Sequence, residues 1–200
     1  MAETMTQGSP GPHAVHGMGR ELAEPDWPPL TDDELRGVLG RAGDPGGLGR
    51  QPVVIWRSPR PMSAAALVRH GDATVFVKRH HLSVRTPAQL AAEHAFAGHL
   101  RMRGQPVPAV LRLAGDDGAH GFPSVLRRGG FCYEAHQVAD GIDLYRHAVS
   151  WSPYASLGHA HAAGAALARL HLAAADFALP ARPAAVLMNS CQVISAADPP

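Results

Sequence analysis

The first apolar positions with helical spacing are Leu35, Val38 and Leu39. They follow Thr31-Asp32-Asp33-Glu34, where the Thr31 hydroxyl can cap free N–H groups and Glu34, three residues on, can reach back. A short helix is expected there, stopped by Gly40 and Gly43. Residues 1–29 mix Gly, Pro, His and acidic residues without a period and read as a disordered leader. From Pro52 the spacing becomes that of strands. Val53-Val54-Ile55-Trp56 is a compact apolar run, and a turn-like Ser58-Pro59-Arg60-Pro61 follows it. Ala65–His70 and Ala73–Lys78 then flank Gly71-Asp72, the pattern of a β-hairpin.

Thr86-Pro87-Ala88-Gln89 opens a longer helix. Thr86 caps, Pro87 takes the first helical position and Gln89 completes the box. This helix should run to about Arg103 and end at Gly104, with Pro106 and Pro108 beyond it. Ala109–Leu113, a turn at Gly115-Asp116-Asp117-Gly118 and a strand from about Phe131 to Val138 come next. Ala139-Asp140-Gly141 breaks that strand. An Ala-rich helix from about Ser156 to Ala174 has small residues at many positions, which suits close packing against another helix. The tail after Pro180 is weakly patterned, and no internal repeat occurs. The fold class is therefore α+β.

Composition narrows the function classes. The formal net charge of +1 over 200 residues gives no strong field toward nucleic acid or an anionic membrane. Arg101-x-Arg103 and Arg127-Arg128 lack interleaved aromatics, so no nucleic-acid partner is expected. No stretch reaches the apolar length needed to span a bilayer, and no basic n-region precedes an apolar run at the N-terminus. Two cysteines, Cys132 and Cys191, make no disulfide framework and no thiolate zinc site. A cytoplasmic protein is expected, with no membrane partner.

The 18 basic residues include one lysine, Lys78. Strand alternation places it on the face of Phe76 and Thr74. One lysine among arginines points to a need for a compact ammonium; the alternative is a lysine left by chance. On the 86–103 helix, Leu90, Glu93, Ala97 and Leu100 share a stripe. A carboxylate within an apolar stripe needs a cationic partner, and the preceding strand offers Lys78. The alternative is a solvated Glu93 at the edge of the stripe.

This order of strand, lysine, helix and glutamate resembles the N-terminal lobe of the protein-kinase-like fold. More closely it resembles the aminoglycoside phosphotransferase family of small-molecule kinases. The resemblance runs from about Trp56 to Phe177. It is carried by Val75-Phe76-Val77-Lys78, Glu93-His94-Ala95-Phe96 with Leu100, Gly104-Gln105-Pro106-Val107-Pro108, Tyr133-Glu134-Ala135-His136-Gln137-Val138, Gly141-Ile142-Asp143-Leu144-Tyr145 and Leu167-Ala168-Arg169-Leu170-His171. It implies an antiparallel sheet with one long helix at residues 51–138, a hinge at 139–145 and the start of a truncated helical lobe at 146–200. A leader (1–29) and a short helix with its loop (30–50) precede these.

It also implies an ATP-dependent phosphotransferase acting on a small-molecule hydroxyl, with ATP and Mg2+ as cofactors. Lys78 would contact the α- and β-phosphates and Glu93 would orient it. Gln137, Val138 and Ala139 would form the hinge that meets adenine. The loop from Ser58 to Ala64, with Ser63, would cover the phosphates.

Three features depart from that pattern. The phosphate loop carries no glycine. Phe76 occupies a position often small in protein kinases, where it would narrow the adenine pocket. The fold's chemistry needs an aspartate near the acceptor, an asparagine five residues on and a second aspartate for magnesium. The one His-x-Asp, His70-Gly71-Asp72, has Val77 at the asparagine position and reads as a turn. The expectation is a nucleotide-binding lobe with no catalytic aspartate and no metal ligands, inactive on its own. The alternatives are a non-catalytic nucleotide-binding or regulatory module, or an inactive gene fragment. Of the 13 histidines, His80 and His81 point to opposite faces of a strand and His159 and His161 diverge on a helix. The histidines are read as structural or surface residues.

Overall fold

The computed structural model describes residues 15–16, 22–42, 51–60, 62–113, 122–145, 148 and 152–180. In chain order the elements are β1 (Val15–His16), β2 (Leu22–Ala23), α1 (Asp32–Leu39), β3 (Val53–Arg57), β4 (Ala64–His70), β5 (Ala73–His81), α2 (Pro87–Met102), β6 (Leu126–Arg128), β7 (Phe131–Gln137) and α3 (Leu157–Ala174). Strands β1 and β2 pair as a small ribbon. The other five form one antiparallel sheet in the order β3-β4-β5-β7-β6. The architecture is α+β and compatible with a kinase-like N-lobe. The turn expected at 115–118, the tail after 180 and most of the first 21 residues lie outside the described residues.

Local chemistry accounts for the helix starts. Thr31 and Glu34 form a reciprocal capping box on α1, and Thr86 and Gln89 form one on α2 with Pro87 in the first turn. Ser156 caps α3 through the His159 N–H. The β4–β5 hairpin turns at Gly71, whose φ of 61° lies in the left-handed region that glycine enters without strain.

Strand alternation gives the sheet two dissimilar faces. On one, Ala66, Val68, Val77, Tyr133 and Ala135 pack against Leu30, Leu35, Val38 and Leu39. Burying each of the larger aliphatic side chains is worth about 1.5–3 kcal/mol. A polar group sits within this core: Glu34 Oε1 accepts from Arg79 Nη1 at 2.7 Å and from the Tyr133 hydroxyl at 2.6 Å. On the other face, Leu90 from α2 packs with Cys132 and Val125.

The end of the expected leader is not disordered. Trp27 stacks on His81 with ring centroids 4.3 Å apart, and the Pro28 carbonyl accepts from Arg79. Burial of Leu30 against the sheet draws this segment in. Strand β6 was not expected, because Arg127 and Arg128 hide its pairing with β7. Helix α3 meets α2 through His99 Nε2, 2.9 Å from the Ala173 carbonyl oxygen, and just past its end Phe177 packs on Phe96 with centroids 4.9 Å apart. Among the described residues it buries none of its side chains, and Leu157, Leu167 and Leu172 are exposed.

Candidate functional site

The site grows from two rows of side chains that cross the sheet on the α2 face. Register places Trp56 beside Leu67, Leu67 beside Phe76, and Phe76 beside His136. Two residues along β5, Ala65, Lys78 and Glu134 lie side by side. The first row is mainly apolar and aromatic; the second carries charge. Both border a cleft of about 440 Å³ lined by Trp56, Leu67, Phe76, Lys78, Pro108, His136, the segment Gln137-Val138-Ala139, and Asp143. The cleft thus has an apolar floor, an exposed strand end on one side and an ammonium on the other.

Lys78 takes its carboxylate from the neighbouring strand. Its Nζ lies 3.1 Å from Glu134 Oε1, and its side chain keeps 31% of its exposure while that of Glu134 keeps 4%. Cross-strand register, rather than the following helix, makes this pair. Glu93 Oε1 lies 3.2 Å from Arg85 Nε, and its side chain is 36% exposed. Arg85 precedes the α2 cap and satisfies Glu93 at the helix edge. The α2 residue that reaches the site is its neighbour, His94, with Nε2 2.7 Å from Glu134 Oε2.

Glu134 gathers two further imidazoles. His80 Nε2 lies 2.8 Å from Oε1 and His136 Nε2 lies 2.9 Å from Oε2. Burial pushes this carboxyl's pKa up. The hydrogen bonds from His136, His80 and His94 and the charge of Lys78 outweigh that and hold it well below the usual carboxylate range. The cluster therefore presents a permanent anion beneath Lys78. The nearby Cys132 thiol is pushed up to about 11 chiefly by burial, and so is poorly nucleophilic at neutral pH.

Of the residues singled out by sequence, Lys78, Gln137, Val138 and Ala139 share the cleft. Ser63 does not join them; it lines a narrow hollow with Trp27, Leu30, Arg57 and Arg60. In the loop that leads to Ser63, the Ser58 N–H donates to the Ala65 carbonyl and the Arg60 N–H to Ser58 Oγ. Those two amides are committed within the protein. Sequence reasoning missed Glu134 and His136 as site residues. Their i, i+2 spacing on a strand, which places both on one face, was the available signal.

A nucleotide suits this cleft: the row from Trp56 to Phe76 matches a planar base, and Lys78 matches phosphate oxygens. Among the described residues one carboxylate, Asp143, lines the cleft, and its Oδ1 accepts from the Tyr145 N–H at 3.1 Å.

Residues 63–199 match the family described as Phosphotransferase enzyme family (APH). The chain belongs to that family. The match begins at the end of the β3–β4 loop and takes in Lys78, Glu134 and the whole of α3. Comparisons with curated proteins and with solved structures gave no match. None of the described helices is long and apolar enough to cross a membrane.

Proposed function

We propose that this member of the phosphotransferase family binds ATP in the cleft above Lys78, as the nucleotide-binding part of a cytoplasmic kinase for a small-molecule hydroxyl. The observation that supports it is Lys78 itself: a half-buried ammonium fixed from below by an ionised Glu134 and facing a cleft with an aromatic floor. A lysine held this way is a point charge for phosphate oxygens. The adenine would lie along Leu67 and Phe76, with its edge toward the backbone of Gln137, Val138 and Ala139. Glu134 takes the orienting role that the family resemblance implied for Glu93.

The one His-x-Asp of the 200 residues forms the β4–β5 turn, and five residues after Asp72 stands Val77. These residues do not supply a base and magnesium ligands in the order phosphoryl transfer requires. Nucleotide binding without transfer is therefore the expected behaviour of this chain by itself. Titration with a fluorescent ATP analogue tests it. Saturable binding should weaken about tenfold or more in Lys78→Ala, a loss of about 1.4 kcal/mol. A folded chain that binds no nucleotide, or binds equally with and without Lys78, contradicts the proposal.

A further inference from the structure

We propose that His94, Glu134 and His136 form a site for a transition-metal ion of the zinc and cobalt type, distinct from any magnesium that travels with a nucleotide. The three residues come from two elements, the middle of α2 and the strand β7. Their ligand atoms, two imidazole nitrogens and one carboxylate oxygen, all lie within 4.8 Å of one another. His94 Nε2 and His136 Nε2 both point at the same oxygen, Glu134 Oε2, at 2.7 and 2.9 Å. The rings meet edge to face at 84° with centroids 5.8 Å apart, so the nitrogens converge while the rings do not stack.

The surroundings are those of a supported ligand set. The other ring nitrogen of His94, Nδ1, lies 2.7 Å from Ser124 Oγ. With a metal ion in place of the Nε2 proton and Nδ1–H donating to that hydroxyl, the Nε2 lone pair is directed into the site, which is how metal-binding imidazoles are commonly held. The second oxygen of the carboxylate, Oε1, is fixed by His80 and Lys78. Glu134 thus offers Oε2 as a ligand while Oε1 keeps it in place. Two imidazoles and a carboxylate favour zinc, cobalt or nickel over magnesium or calcium, whose preferred donors are all oxygen.

The fit requires a small expansion. Ligands of a tetrahedral zinc at about 2.0–2.1 Å stand about 3.3 Å apart, so each nitrogen retreats by a few tenths of an ångström from Oε2. Three protein ligands leave a fourth position open. His136 lines the cleft and its side chain is 21% exposed, whereas the Glu134 side chain is 4% exposed, so the fourth position opens toward the cleft.

Cobalt(II) added to the full, chelator-treated chain without nucleotide is the test, read by its visible ligand-field absorption. One equivalent should give a saturating tetrahedral band that zinc displaces, and zinc should raise the melting temperature. His94→Ala and His136→Ala should abolish the band, while His159→Ala should retain it. Ser124→Ala, which keeps all three ligands, should weaken binding about 10–100-fold and gives a second reading if a histidine variant does not fold, as judged by circular dichroism. A folded wild-type chain that gives no tetrahedral band overturns the proposal. So does a band unchanged by His94→Ala, His136→Ala and Ser124→Ala. Neither result bears on nucleotide binding, which is measured separately.

Discussion

The two faces of the sheet are built from alternate residues of the same strands, and each holds a carboxylate among polar partners. On the α1 face Glu34 meets Arg79 and Tyr133; on the α2 face Glu134 meets Lys78, His80, His94 and His136. The partners separate their roles. Arg79 and Tyr133 are buried, and their bonds to Glu34 tie the sheet to α1 and to the segment that precedes it. Lys78 keeps about a third of its surface, and His136 lines the cleft. An always-charged guanidinium makes a permanent link between elements; a lysine and imidazoles leave a charge, or a ligand atom, for something outside the protein. Ionisation alone thus does not mark the functional face. Whether the partners of the carboxylate reach a cleft does.

The largest effect expected from breaking this comparison is on the α2 face. Glu134→Ala removes one anion from beneath a lysine and three imidazoles, and should destabilise the chain by about 3 kcal/mol or more in chemical denaturation. The next largest lies on the α1 face and follows from acid. Burial pushes the Glu34 carboxyl up, but the Thr31 N–H, the Tyr133 hydroxyl and Arg79 together hold it at about 2, against 4.5 unperturbed. A carboxyl depressed in the folded state stabilises the protein above its unfolded pKa, and that stability is lost as pH falls toward the folded one. Stability should therefore fall between about pH 4.5 and 2, by about 2 kcal/mol more in the wild type than in Glu34→Gln. The smallest effect is at the helix edge. Glu93→Ala breaks a part-exposed pair with Arg85 and should cost about 0.5 kcal/mol or less in the same denaturation experiment.

Much of the fold was legible in local sequence. Both capping boxes, the β4–β5 hairpin and the extents of α2 and α3 depend on residues a few positions apart, and the chain carries those signals in full. Lys78 was legible too, since a lone lysine on a strand face is a local fact. Its partner was not. Lys78 and Glu134 meet through the register of β5 with β7, strands separated in sequence by all of α2. The choice between Glu93 and His94 was finer still. Adjacent helix residues differ by about 100°: Glu93 falls within the stripe through Leu90, Ala97 and Leu100, and His94 falls at its flank. Periodicity admits either residue toward the sheet; the pull of Glu134 on His94 and of Arg85 on Glu93 decides. The histidine cluster escaped for the same reason. His80, His94 and His136 come from three elements, and nothing local to any one of them announces the others.

The proposed binding mode has Glu134, rather than Glu93, holding Lys78 for a nucleotide. Calorimetric titration of ATP into the wild type, Glu134→Gln and Glu93→Gln, each checked for folding by circular dichroism, tests it most directly. A loss of about tenfold or more in affinity is expected for Glu134→Gln, equivalent to about 1.4 kcal/mol, with less than about a twofold change for Glu93→Gln. A large loss in Glu93→Gln with Glu134→Gln unchanged would contradict it.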